Sequence, residues 1–530
     1  MTISRRDILK VGIAAGTALS IPSILRAQTG LVPAQTVRMV MITKLSVFDP
    51  IFTTAGVTAY HAMAIYDTLF ALDSKLMPQP QMVGNWTVTH DKRTYTFELR
   101  DGLSFHDGTP VTAADCVASI HRWGEADDAG KLIVARARDI SAKDDKTFTI
   151  GLNEPLGLLV DLLAYSSRYL PIMREKDAKR SATEQVTENI GSGPFKFNQA
   201  LAKPGVSFTY DRNEDYVPRK EPSDGFAGGA VAKVDRIVWE QIGDPQTAYA
   251  ALQVGEIDFI EFPPADFHGA IESDPNLALQ VLNKSGDDYC LRLNHLQKPF
   301  NNIKARQAML HLIDQEEFLR VISPNPQYGR PVTSIFGNST LYSNDENTGW
   351  YKKGGDAEKA KQLFKEAGYT SEKVVILQGT DWAEQSNAAQ LVAAKLREIG
   401  VNAELAPSDW PGVIARRAKK EPVEDGGWSI FITSASDFGL SNPLTTSTLK
   451  PDWYGWPMNE EFEALRSKWT DLETVEQRKA LAREMQRMWW NFVGDVRLGQ
   501  VFQPVARRRT LTGLIEMPAS RIALWNMQKA

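Results

Sequence analysis

The sequence predicts a mixed α/β fold distributed over two or three domains, and three observations carry the prediction. Apolar residues alternate at Tyr95, Phe97 and Leu99 after a strand that begins at Trp86, with turns at 90–93 and at Asp101-Gly102, which is the pattern of an antiparallel meander. Two stretches, 237–260 and 374–405, read strand, helix, strand, an order that brings the two strands together in parallel. The chain has 530 residues, 43% of them hydrophobic and 24% charged, a globular composition with length for more than one core.

Residues 4–10 read SRRDILK, an apolar run follows over 11–25, and Ala27 offers a small residue for cleavage. This is the layout of an export leader over residues 1–27 with a twin-arginine pattern; Ile8 stands where that pattern favours Phe, which leaves the general secretory route open. The run is shorter than the roughly 20 residues that cross a bilayer, and Gly12, Gly16 and Pro22 weaken it as an anchor. No cysteine follows the leader, so a lipid anchor is not expected. The leader carries four basic residues and one acidic one; without it the formal net charge moves from -5 to -8, which gives no general attraction to nucleic acid or anionic lipid.

After the meander, Thr112 with Asp115 forms a capping box for a helix that turns Cys116, Val117 and Ile120 inward. In the first parallel unit, Asp244-Pro245 supplies cap and first helical residue, and Gly255 ends the helix before the strand 257–260. A strand over 289–293 holds Cys290; the apolar setting of both cysteines favours two buried, unpaired thiols. Ala305, Ala308, Met309 and Leu312 form a helical stripe, and Asp314 with Glu317 reads as another capping box. The helix 356–367 buries Ala360, Leu363 and Phe364 and stops at Gly368. In the second parallel unit, Ala389, Val392, Leu396 and Ile399 line the helix and Gly400 terminates it. Phe462, Leu465, Trp469 and Leu472, then Leu481, Met485, Met488, Trp489 and Phe492, mark two late helices whose stripes read as core. The loosest stretch is 204–229, rich in Gly, Pro and charge.

An enzyme needs chemistry that the sequence does not spell out locally. There is no His-Glu-x-x-His, Gly-x-Ser-x-Gly, Walker loop, Gly-x-Gly-x-x-Gly or Cys-x-x-Cys, and the seven histidines are scattered. No catalytic residue, metal site or cofactor is therefore expected, and the chain reads as a non-enzyme. His106 and Asp107, within Phe105-His106-Asp107-Gly108, fit a turn in which Gly108 supplies backbone freedom and the polar side chains bond local amides. Arg306 reads as a helix anchor for a carboxylate.

The segment 66–123 carries Tyr66-Asp67-x-Leu69, a Pro before Trp86, Tyr95-x-Phe97-x-Leu99-Arg100, Phe105-His106-Asp107-Gly108 and Ala113-x-Asp115, in that order. It resembles the family 5 solute-binding proteins, the dipeptide, oligopeptide and nickel binders that deliver ligands to ABC importers. Gly255-Glu256-Ile257-Asp258 and the segment 289–313 are similar to the same family. The resemblance implies a two-lobed periplasmic binding protein-like fold (type II, cluster C) with an extra subdomain inserted in the first lobe. Lobe I would comprise 28–65, 207–288 and 497–530, the inserted subdomain 66–206 and lobe II 289–496, with hinges near 291–294 and 493–500.

In open α/β sheets, loops beyond the carboxyl ends of strands converge on ligands. The first such loop, 45–50, contains Asp49, with Thr53 just beyond it; the second holds Asp381 and Trp382; the third, 434–439, holds Asp437. The resemblance gives Asp437 the role of holding a peptide amine, whereas Asp381 and Trp382 lie where a dipeptide carboxylate would need a cation. Two carboxylates and an indole suit a positively charged solute, the ring adding about 0.5–2 kcal/mol. Trp428 and Tyr454 add aromatic surface near that edge, and Asn294 is placed at the hinge facing the cleft. The implied function is the periplasmic solute-binding component of an ABC transporter, a monomer whose partners are a peptide or small-molecule ligand and a permease, with no nucleic acid. The alternatives are a secreted enzyme and a ligand-presenting sensory protein on the same scaffold. Under this reading Asp437→Ala weakens binding far more than Asp115→Ala does.

Overall fold

A computed structural model describes residues 35–164, 168–380, 382–472, 474–519 and 521–530. The expected leader, 1–27, and Asp381 lie outside the described residues. Two large sheets and one smaller one organise the rest.

The largest sheet has seven strands, in the order Leu277–Val281, Pro504–Arg508, Phe259–Ile260, Thr36–Val40, Arg236–Glu240, Ser207–Arg212 and Phe195–Phe197. Thr36–Val40 lies at its centre and runs parallel to both Arg236–Glu240 and Phe259–Ile260. The helix Pro245–Val254 carries the chain from one of those neighbours to the other, so the two strands of 237–260 run parallel but are not the adjacent pair expected, because Thr36–Val40 is inserted between them. The Asp244 carboxylate caps that helix by accepting from the Thr247 N–H at 2.7 Å, and Gly255 turns the chain at φ 81°, as the sequence predicts.

The second sheet has six strands, ordered Gly329–Arg330, Val496–Val501, Asp287–Leu293, Ile430–Ser436, Val374–Gly379 and Ala403–Ser408. Val374–Gly379 is parallel to both Ala403–Ser408 and Ile430–Ser436. The crossover helix Ala383–Glu398 buries Ala389, Val392 and Leu396 against it, and full burial of Val392 and Leu396 contributes about 1.5–3 kcal/mol each.

The meander is a four-stranded sheet, Val83–Val88, Thr94–Leu99, Thr147–Leu152 and Ala137–Ala142 in spatial order. Tyr95, Phe97 and Leu99 are buried, Phe97 stacks on Phe148 at 5.0 Å, and both belong to one core with Cys116, Ile120 and Trp123 of the helix Ala113–Ala126. That helix starts with the expected Thr112–Asp115 capping box. Cys116 and Cys290 are free and buried, and burial pushes the Cys290 thiol up to about 12.

Several expectations shift. Phe195–Phe197, on the inserted side of the boundary at 206, pairs with Ser207–Arg212 in the seven-stranded sheet. Val496–Val501 lies wholly in the six-stranded sheet, so the chain crosses between sheets at 282–286 and 502–503, not at 291–294 and 493–500. The two crossings touch: Gly286 has φ 78°, and a Cβ there would stand 2.9 Å from the Val501 carbonyl oxygen. Asp314 caps the helix Gln315–Ile322 without the box, because Glu317 turns instead to Lys395 at 2.8 Å. Arg306 donates to the carbonyls of Phe300 and Phe492, at 2.8 and 3.0 Å, and not to a carboxylate.

Candidate ligand-binding crevice

Each of the two large sheets contains a set of three parallel strands whose carboxyl ends lead into loops. Thr36–Val40, Arg236–Glu240 and Phe259–Ile260 supply one edge, and Val374–Gly379, Ala403–Ser408 and Ile430–Ser436 the other. Loops and helix starts converge at such edges. Here a notch of about 20 Å³ is lined by Pro263, His268 and Pro504 from the first side, Tyr328 and Glu384 from the second, and Phe502 from a crossing. Phe438, just beyond Ile430–Ser436, packs on the apolar cluster that contains Met39, Leu45 and Val57.

On the first wall, Glu261 follows the short strand Phe259–Ile260 and is only 8% exposed. Its Oε2 accepts from the Ile42 N–H at 2.8 Å, and the Tyr60 hydroxyl also bonds it. Burial pushes the carboxyl up to about 7. Beside it, a cavity of about 150 Å³ is lined by Ile42, Ile242, Tyr249, Phe262 and Phe267. Tyr249 and Phe267 stack at 5.0 Å.

On the second wall, Trp382 meets Tyr289 edge-on at 6.0 Å and Trp410 at 4.7 Å. Glu384 stands in the first turn of the helix Ala383–Glu398, two residues on from Trp382, and burial raises its carboxyl. Of the residues expected to touch ligand, Trp382 lies on this wall, and Thr53 stays half-exposed with its hydroxyl accepting from the Ala55 N–H at 3.2 Å.

The other expected ligand groups are engaged elsewhere. Asp49 is 1% exposed, and its oxygens accept from Arg122 at 3.1 and 2.7 Å and from the Ile51 and Val186 amides at 2.9 Å each. It fastens the meander's helix to the first lobe's loop. Asn294 is buried, its amide donating to the Trp428 carbonyl at 2.9 Å and its oxygen accepting from the Leu296 N–H at 3.0 Å. Trp428 is core: its indole donates to the Arg417 carbonyl at 3.0 Å and packs on Phe431 and Trp456. Tyr454 is half-buried beneath the Arg417 guanidinium, 4.3 Å from its ring centre.

Asp437 is 0% exposed. It accepts from the Asn338 and Ser339 amides at 2.6 and 2.9 Å and from the Gln500 side chain. Gln500 donates also to Asp288, at 2.8 Å. Two buried carboxylates thus share one amide, and burial together with Asp437 holds the Asp288 carboxyl well above the ordinary range. Asp107 bonds locally as expected, accepting from the Thr109 N–H at 3.1 Å, but it also pairs with Arg174 at 2.9 Å, and His106 reaches a distant segment, bonding the Gly193 carbonyl and the Gly191 N–H at 3.2 Å each.

Sequence reasoning did not single out Tyr60, Glu261, His268 or Glu384. Glu261 was open to discovery, since it directly follows the Gly255–Asp258 signature and strand, at a carboxyl end. Among the described residues, no cluster of three or more His, Cys, Asp or Glu side chains could hold a metal ion, and no helix is long and apolar enough to cross a membrane.

Residues 77–454 match the family described as bacterial extracellular solute-binding proteins, family 5 Middle. The chain is 63% identical over 536 residues to the probable peptide ABC transporter periplasmic-binding protein y4tO of Sinorhizobium fredii, covering 100% of both. It is 26% identical over 545 residues to the glutathione-binding protein GsiB of Pectobacterium atrosepticum, covering 98% of this chain and 97% of that one. Among solved structures, DppA from Helicobacter pylori in complex with the peptide STSA superposes with a TM-score of 0.77 at 21% identity, over 93% of this chain and 98% of that one. The binding protein AgaA from A. tumefaciens, in complex with agropinic acid, gives 0.78 at 21% identity, over 93% and 99%.

Proposed function

The chain belongs to the bacterial extracellular solute-binding proteins of family 5, and from that premise we propose that its crevice captures a peptide or related small solute carrying positive charge and delivers it to an ABC permease. Its fold is the two-lobed one of that family. The observation that supports the ligand reading is a desolvated carboxyl beyond a strand end in each sheet, Glu261 after Phe259–Ile260 and Glu384 after Val374–Gly379, with the half-buried Trp382 ring two residues before Glu384. Desolvated carboxylates reward a cation, and an indole adds about 0.5–2 kcal/mol to an ammonium or guanidinium. The peptide class is supported by the 63% identical relative, which is named for peptide transport.

The lobes built on the two sheets are joined by the crossings at 282–286 and 502–503. Contacts that a solute makes with both walls exist only when the walls are close, so binding shifts the population toward the closed form that a permease recognises. No covalent step enters this mechanism. Specificity comes from pairing the solute's polar groups, since each one left buried without a partner costs roughly 1–3 kcal/mol. Residues 1–27 act as a twin-arginine export leader cleaved near Ala27, and the mature chain works as a periplasmic monomer.

Calorimetry on the mature chain with a panel of dipeptides and tripeptides tests the reading. Reversible 1:1 binding, tighter for peptides with an added lysine than for those with an added glutamate, is the expected result. Conversion of a peptide to product, or equal preference for the acidic peptides, would overturn it.

A further inference from the structure

One helix of the meander unit reaches the other lobe at both of its ends. Asp128–Arg136 follows the helix Ala113–Ala126 and leads into the strand Ala137–Ala142. In its first turn, the Asp128 carboxylate pairs with the Lys450 ammonium. At its last residue, the Arg136 guanidinium donates to the Thr470 hydroxyl at 2.8 Å and stands 3.8 Å from the Asp471 carboxylate. An acid at the start of a helix and a base at its end suit the helix dipole, so the helix presents both groups at little cost to itself. Lys450, Thr470 and Asp471 lie on the chain between Ile430–Ser436 and Val496–Val501, two strands of the six-stranded sheet.

The helix is held to the side of the seven-stranded sheet by a succession of close contacts. Asp49, in the loop after Thr36–Val40, pairs with Arg122 of Ala113–Ala126 at 2.7 Å, both side chains out of solvent. Two residues on, Gly124 meets Gly130 of Asp128–Arg136 so closely that a Cβ on Gly130 would stand 2.8 Å from the Gly124 Cα. No side chain cushions that crossing, and interiors packed this densely transmit displacement. Rotation about the crossings at 282–286 and 502–503 therefore carries Asp128 and Arg136 together away from Lys450 and Thr470. None of these four residues lines the notch or the cavity beside Glu261.

We propose that Asp128–Lys450 and Arg136–Thr470 form a latch outside the crevice, which favours the closed form by protein contacts alone and so sets how tightly a solute is held. Its effect on affinity rests on the solute-capture reading; the latch itself does not, because it contains no solute atom. Where the closed form is a fraction of the free population, apparent affinity scales with that fraction. Each contact lies partly in solvent, and such a pair shifts an equilibrium up to about fivefold.

The test measures interlobe distance in the mature chain with no solute added. Nitroxide labels are placed on Lys143→Cys in the meander unit and Lys361→Cys in the second lobe, both exposed positions, while the buried Cys116 and Cys290 stay unlabelled. Double electron–electron resonance then reads the populations of short and long distances. Arg136→Met and Asp128→Lys should each lower the short-to-long ratio, by about two- to fivefold for Arg136→Met. Adding Lys450→Asp to Asp128→Lys should restore the ratio, a rescue that a merely destabilised helix would not show. Unchanged distributions in both single variants, or a charge-swapped double variant no better than Asp128→Lys alone, would overturn the latch. If the ratio falls and recovers as expected while the calorimetric peptide panel shows no binding, the latch stands and the peptide reading falls. Peptide binding together with distances that ignore both variants removes the latch and leaves capture intact.

Discussion

Replacing Asp49 separates a structural role from a ligand role in one experiment. In the folded chain its carboxylate accepts four hydrogen bonds, two of them from the Arg122 guanidinium at 3.1 and 2.7 Å, and the pair is almost wholly out of solvent. Asp49→Ala strands a buried guanidinium, which keeps its bonds to the carbonyls of Arg180, Ser181 and Glu184 and a weak one to the Met173 sulfur. Breaking one side of a buried pair costs about 3–5 kcal/mol. With an m value of about 2–3 kcal/mol/M, the urea midpoint of the transition that unfolds this region falls by roughly 1–2 M. Arg122→Met in the Asp49→Ala background removes the stranded charge, so the double variant recovers part of the loss. The assay is urea unfolding followed by tryptophan fluorescence, with calorimetric solute binding on the protein that remains folded. An unchanged midpoint together with abolished binding would refute the assignment and return Asp49 to the ligand.

Glu261 titrates near 7 in the folded chain against an ordinary value of 4.5, because burial opposes its charge. The folded state holds the extra proton between those values, so stability falls as pH rises through that window, by roughly 3 kcal/mol at most. Glu261→Gln removes this term, and the variant should gain on the parent between pH 4.5 and pH 8 in thermal melts; parallel pH profiles would contradict the burial of that carboxyl. Gly337 has φ 77°, and a Cβ there would lie 2.2 Å from an Asp437 oxygen. Gly337→Ala should therefore lose about 2–4 kcal/mol from left-handed backbone strain and a displaced buried carboxylate, and an unshifted urea midpoint would show that the loop yields freely. Trp382→Ala should weaken solute binding by about 1–2 kcal/mol, five- to thirtyfold, through lost aromatic contact with a cation, with calorimetry as the check and undiminished affinity as the contrary outcome.

What the sequence revealed was what neighbouring residues decide. Thr112 with Asp115, and Asp244 with Gly255, bound their helices as expected because caps and left-handed turns act within one turn of backbone. The parallel unit at 374–405 was legible for a related reason, a helical stripe between two short apolar strands that pair directly, whereas the strands of 237–260 run parallel with Thr36–Val40 between them, a distant partner that no local pattern names. The limits of the inserted unit were not, since nothing local distinguishes Phe195–Phe197 as a partner of Ser207–Arg212 across the loop at 198–206.

The site shows the same division. Strand-end reasoning led to the loops of Asp49, Trp382 and Asp437, but whether a carboxylate at a strand end serves a ligand or the fold depends on distant partners. Arg122 lies 73 residues from Asp49, and Asn338 lies 99 from Asp437. Such pairings are set by tertiary packing and leave no mark on spacing. Glu384 escaped notice for the opposite reason, because an acid in the first turn of a helix reads as a match to the helix dipole. His268 lies in the six-residue helix His268–Ser273, too short for a periodic stripe to suggest that its ring is buried.

The central claim is that two lobes hold one solute between them by non-covalent contacts alone. Native mass spectrometry of the chain isolated gently from the periplasm of its producing bacterium tests this most directly. The account requires one small solute per chain, released by mild activation at the same mass as the free compound. A covalent adduct that survives denaturation, or a solute altered in mass on release, would contradict it.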